Sequence, residues 1–231
     1  MIGIDPLYLL FAAPGLLLAL YASWRTRSTF HEYAQVAASS GMTGAQAAAR
    51  MLATQGVRGV QIEPTEGFLS DHFDPTANAL RLSPDVFYGR SLAAIGVACH
   101  EAGHALQHAH GYRPLRLRSA LVPVTQIGSS LSWLVLAAGF VLHVTELVTL
   151  GIILFTTSVV FALITLPVEW DASARAKALM VRAGIVGPGE QRDAGAVLNA
   201  AFLTYLAAAV SSILTLLYYL VRAGWLGRRD D

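Results

Sequence analysis

His100 and His104 stand four residues apart, with Glu101 directly after the first, in the run His100-Glu101-Ala102-Gly103-His104. On a helix this spacing puts both imidazoles on one face about one turn apart, where they can bind a single zinc ion at roughly 2.0–2.1 Å. Glu101 falls beside the first ligand. From there its carboxylate reaches a water activated by the ion, acts as general base, and can return the proton to a departing amine. Hydrolysis of a peptide bond is the natural chemistry of this set. The plainer reading is two histidines and a glutamate on a solvated helix face. Ala102 and Gly103 suit a helix pressed closely against another surface, although Gly103 costs about 1 kcal/mol of helix propensity.

A catalytic zinc takes three protein ligands and leaves a fourth position open. Glu169 is the favoured third ligand, being the acidic residue just after Pro167 at the end of a long apolar stretch, on the same side of a membrane as the motif. Its competing role is a solvated carboxylate favoured by a helix N-terminus. His108 continues the stripe of His100 and His104, but three ligands at one-turn intervals would spread over about 12 Å along the axis, too far for one ion. Cys99 neighbours His100 but points about 100° away, so it reads as buried packing. As the only cysteine of the chain it can form no intramolecular disulfide.

These residues need elements to position them. Thr43 followed by Gly44-Ala45-Gln46-Ala47-Ala48-Ala49 predicts a capped helix that Gly56 stops. Residues 57–63 and 78–83 alternate apolar and polar side chains around a turn-rich stretch, which predicts two or three short strands. A helical pattern begins near Arg90, carries the motif and ends at Gly111. A further helix continues past Pro167 through Glu169 to Gly184.

Of the 231 residues, 55% are apolar and only 13% charged, against roughly 25% charged in soluble domains. The stretches 6–24, 121–143, 147–167 and 201–221 contain no Asp, Glu, Lys or Arg and are each about the 20 residues a bilayer crossing needs. The first lacks a preceding positive charge and is followed by Arg25 and Arg27, which suits an uncleaved anchor better than a signal peptide. If all four span, Arg25, Arg27, Arg113, Arg116, Arg118, Arg175, Lys177 and Arg182 share one side, against Arg222, Arg228 and Arg229 on the other. That bias predicts both large loops in the cytoplasm, although the basic tail pulls weakly the other way. A formal charge of +1 gives no sign of a nucleic-acid surface.

The expected architecture is a mainly α membrane protein, with about four transmembrane helices and a small cytoplasmic α+β zincin-like domain carrying a short sheet. Residues 1–24 form the anchor, 25–120 the domain with the motif helix, and 121–167 a transmembrane hairpin. Residues 168–200 form the third-ligand helix, and 201–231 the last transmembrane helix and tail.

The runs Ser70-Asp71-His72-Phe73-Asp74-Pro75, Leu80-Arg81-Leu82-Ser83, Gly89-Arg90-Ser91, His100 to Gln107 and Pro167-Val168-Glu169-Trp170-Asp171-Ala172-Ser173 resemble the bacterial YugP-like neutral zinc metallopeptidases over nearly the whole chain. The resemblance implies a gluzincin-type site in the bacterial inner membrane, with zinc on His100, His104 and Glu169, and Glu101 as catalyst. It implies a peptide or protein substrate, membrane proteins included. A distant similarity to membrane zinc proteases with an E-x-x-x-D signature breaks at Ser173, which leaves the supporting carboxylate to some other acidic residue. Asp171 lies about 200° around the helix from Glu169 and should not face the same histidines. The resemblance also implies that 78–83 is an edge strand holding extended substrate, its alternative being an ordinary strand of the sheet. His72 is a candidate for stabilising the oxyanion, its alternative being part of a turn. Two other classes compete: a non-catalytic membrane scaffold or adaptor retaining a structural zinc, and a small channel or transporter. The second would require ionisable groups inside the spans, and the four stretches hold none.

Overall fold

The computed structural model describes residues 5–67 and 70–226. In chain order the elements are α1 (Pro6–Ala34), α2 (Gly44–Thr54), β1 (Gln61–Pro64), β2 (His72–Asp74), β3 (Ala79–Leu82), α3 (Pro84–Phe87), α4 (Leu92–Ala109), α5 (Arg113–Leu142), α6 (Thr145–Arg182) and α7 (Gln191–Arg222). Among the described residues α1, α5, α6 and α7 are long and apolar enough to cross a membrane. The chain is thus a helical membrane protein with a small α+β part. It divides into two compact units, to both of which α1, α5, α6 and α7 contribute. Arg228 and Arg229, weighed in the orientation argument, lie outside the described residues.

The first unit comprises the residues up to 22, 117–166 and those from 204. Its outer surface is apolar, with Leu10, Leu17, Ile127, Trp133 and Leu134 exposed, as suits helices solvated by lipid. Lipid offers no hydrophobic drive for helix association, so close van der Waals approach has to supply it. Small residues permit that approach here. A Cβ on Gly128 would lie 2.7 Å from Thr157 Oγ1, and one on Gly15 2.6 Å from Ser211 Oγ. Leu136, Val148 and Ile152 form the buried centre.

The second unit comprises residues 23–116 and 167–203. Thr43 caps α2 by accepting from the Gln46 N–H at 3.2 Å, while Gln46 Oε1 accepts from the Thr43 N–H at 2.9 Å, a reciprocal capping box. The cap starts the helix so that Ala47, Ala48, Met51 and Leu52 form one buried stripe, packed on α4. Ser91 caps α4 by accepting from the Ala94 N–H at 3.2 Å, and Gly111 takes a positive φ of 64° just beyond its end. The four-residue α3 ahead of α4 is too short for hydrophobic periodicity to reveal. Its cues are Pro84 in the first turn and Asp85 beside it.

The sheet order is β1-β3-β2, with β1 parallel and β2 antiparallel to β3. This corrects the expectation for 78–83. Residues 79–82 form the central strand, hydrogen-bonded on both sides, and a strand with both edges occupied cannot add a substrate backbone. Arg81 pins the three strands together, donating from Nε to Glu63 Oε1 at 2.8 Å and from Nη1 to Asp74 Oδ2 at 2.6 Å.

Candidate metal centre

Helix α4 is buried along nearly its whole length, and His100 and His104 project from it with their rings 4.8 Å apart and almost perpendicular. Opposite runs the second-unit part of α6, where Val168, Ala172, Ala176 and Met180 form a fully buried stripe at helical spacing. That register turns Glu169 and Ser173, one turn apart, toward His100, and Glu169 toward His104 as well. The approach depends on Gly103, because a Cβ there would stand 2.7 Å from the Ala172 carbonyl oxygen. The small residues within the motif therefore set the distance between the helix with the histidines and the helix with the carboxylate.

Glu169 Oε2 lies 3.2 Å from His100 Nε2 and 3.5 Å from His104 Nε2. His100, His104 and Glu169 are a group able to hold one metal ion. The spacing fits zinc, since two donors each about 2.05 Å from one ion at a tetrahedral angle stand about 3.3 Å apart. Charge agrees with geometry. Glu169 is 1% exposed, and burial alone would raise its carboxyl. The hydrogen bonds with His100 and His104 outweigh burial and hold it well below the ordinary carboxylate range. A buried anion needs a cation at the same point, supplied by imidazole protons or by a metal. For His104, burial disfavours the charged ring, but the bond to Glu169 and the charges of Glu101 and Glu169 raise its pKa above the usual value.

The nitrogens facing away from this point are held as well. His100 Nδ1 is 3.0 Å from Ser173 Oγ, and His104 Nδ1 is 3.0 Å from Gln107 Oε1. Ser173, whose departure from the E-x-x-x-D pattern left its place to an unknown acid, thus itself supports His100 through its hydroxyl. Asp171 makes its described bonds not with the histidines but with Gln107 Nε2 at 2.8 Å and Arg175 Nε at 2.5 Å. Gln107, absent from the sequence-based site, had one available signal, its position three residues after His104 on the same helix face.

Glu101 is 9% exposed, and burial lifts its carboxyl above the ordinary range against the opposing pull of His100 and His104. A raised carboxyl binds a proton more readily than an ordinary carboxylate. Cys99 is fully buried and its thiol is pushed up to about 12 by burial. His108 is exposed and packs its ring 5.5 Å from Phe73. His72 lies exposed on β2, where Nδ1 donates to the Ser70 carbonyl at 2.8 Å; it is not a member of the metal-binding group.

A helical membrane protein with a buried His-His-Glu cluster on two facing helices is the class defined by fold and site. The family model described as "Putative neutral zinc metallopeptidase" matches residues 8–224, and the chain belongs to that family. It is 45% identical over 225 residues to the "Putative membrane protease YugP" of Bacillus subtilis (strain 168), covering 97% of this chain and 98% of that protein. No solved structure matches the chain.

Proposed function

We propose that the chain is a membrane-bound zinc-dependent endopeptidase of the gluzincin type, with its active site on the cytoplasmic side of the bacterial inner membrane. His100, His104 and Glu169 hold the zinc ion, and Glu101 is the general base. The observation that carries this reading is the convergence of two Nε2 atoms and one buried carboxylate oxygen at spacings of 3.2 and 3.5 Å. A zinc ion there supplies Lewis acidity, which makes water a nucleophile near neutral pH and polarises a substrate carbonyl. Glu101 removes the proton from the attacking water and passes it to the amine that leaves. Its burial favours the uptake of that proton, because the neutral carboxylic acid is the form that burial stabilises. The domain organisation expected from the sequence places these residues in the polar segments 25–120 and 168–200.

The substrate is a peptide or protein in extended form, membrane proteins included. With β3 enclosed, β2 is the strand suited to receive its backbone, since it packs on α4 and pairs on one side only among the described residues. His72, on that strand, is the candidate for the oxyanion. Neutral His72 offers no proton at Nε2, because Nδ1 donates to Ser70, so only its imidazolium form could serve.

The test is Glu101→Gln in the purified full-length protein, with casein cleavage and zinc content measured together. Cleavage should fall by about 10²–10⁴-fold with one zinc per chain retained. Undiminished cleavage would remove Glu101 from the mechanism. A wild-type protein that binds zinc but shows no turnover on a broad set of unfolded substrates would favour the scaffold.

A further inference from the structure

We propose that Gln107, locked in one orientation by Asp171, is a positioning residue that fixes the tautomer of His104 and so presents its Nε2 for metal binding. The inference rests on His104 being a ligand.

An amide side chain has one acceptor oxygen and an NH2 group with two protons, and can be reversed by rotating half a turn. Here reversal is blocked. Gln107 is fully buried, and its Nε2 donates to the Val168 carbonyl and to Asp171 Oδ2, both at 2.8 Å. Neither partner can donate in return, so a reversed amide would set its oxygen against two acceptors in the interior. Oε1 is therefore the atom that meets His104 Nδ1 at 3.0 Å. An amide oxygen only accepts, so Nδ1 carries the proton and the lone pair of the neutral ring is left on Nε2, the atom facing Glu169.

Asp171 is held in turn by Arg175, whose Nε bonds the same Oδ2 at 2.5 Å and whose Nη2 lies 3.4 Å from Oδ1. A carboxylate thus acts on the second histidine through an intervening amide. His100 differs, because the Ser173 hydroxyl at its Nδ1 can donate or accept and does not dictate a tautomer.

The experiment measures zinc affinity by chelator competition and the visible spectrum of the cobalt-substituted protein. The full-length variants are Gln107→Met, Asp171→Ala and Asp171→Asn. Gln107→Met should weaken zinc by about 10–100-fold and shift the cobalt bands, the scale expected for losing an outer partner of a metal-bound histidine. Asp171→Ala should show a smaller loss that Asp171→Asn largely restores, because one amide oxygen can replace the single Oδ2 that both donors share. Wild-type zinc affinity in Gln107→Met would overturn the proposal. Equal losses in Asp171→Ala and Asp171→Asn would overturn the role of Asp171 as acceptor. Should Gln107→Met fail to fold, the half-exposed Asp171 pair carries the test. His104→Ala serves as the control: zinc bound there as tightly as in wild type would reject the ligand assignment rather than the relay.

Discussion

The two units use the same small polar residues for different ends. In the first unit, hydroxyls close bonds within their own helix: Ser130 to the Gln126 carbonyl at 3.0 Å, Thr156 to Ile152 at 2.8 Å and Thr165 to Phe161 at 2.8 Å. These bonds satisfy a polar group in an apolar surrounding and ask nothing of a neighbouring helix. In the second unit the Ser173 hydroxyl reaches across to His100, and a glutamine and an aspartate form a chain behind His104. Glycines permit close approach in both units, with a Cβ on Gly139 standing 2.7 Å from the Val148 backbone nitrogen and one on Gly103 2.7 Å from the Ala172 carbonyl oxygen, but only the second approach sets a distance within the candidate metal centre. The first unit needs close packing, while the second needs particular atoms at particular distances.

Substitutions should expose that difference, most severely at the ligands. Glu169→Ala removes the carboxylate in contact with both histidines, so zinc and peptidase activity should both be lost while the protein still fractionates with membranes. Metal analysis of the membrane-extracted variant checks this. Zinc retained at one per chain would break the assignment of the third ligand.

Next in size comes a pair of glycine changes. Gly103→Ala sets a methyl 2.7 Å from the Ala172 carbonyl and must push α4 and α6 apart, at an overpacking cost of about 1–3 kcal/mol, with weakened zinc as its signature. Gly128→Ala meets the Thr157 hydroxyl at 2.7 Å and the Leu154 carbonyl at 3.3 Å, both within the first unit, and should leave zinc affinity unchanged. Thermal unfolding and chelator competition on the two variants would sharpen the contrast, or abolish it if both lose metal alike.

A smaller effect is expected at His72. If its ring donates to the oxyanion, His72→Gln should lower kcat with KM little changed, as measured by steady-state kinetics on a peptide substrate. A rise in KM with kcat unchanged would mean that the residue shapes β2 and does not act on the reacting carbonyl.

The least effect belongs to Cys99. With the thiol buried and lifted to about 12, almost no thiolate exists at neutral pH, so iodoacetamide should leave the native protein unlabelled and fully active. Rapid labelling without unfolding would show that α4 opens readily.

Much of this site was legible in the residues because its parts follow local rules. The four-residue spacing of His100 and His104 becomes a shared face on any α-helix. Thr43, Ser91 and Gly111 mark helix ends through bonds to their own neighbours. Four uncharged stretches declare their solvent by length alone. Glu169 was reachable because few acids lie near a span end. Ser173 was read only as a missing carboxylate, since the pattern was matched by charge when the histidine requires a hydrogen-bonding partner.

The sequence by itself determined the long helices, the apolar surfaces and the chemistry available to the motif, all of which depend on neighbours within a turn or two. The tertiary structure alone decided that β3 is central and that Gln107, Val168 and Asp171 meet behind His104. Strand order is a matter of which backbones pair across the intervening turns, and partners more than sixty residues apart meet only where two helices approach closely, as Gly103 permits beside Ala172.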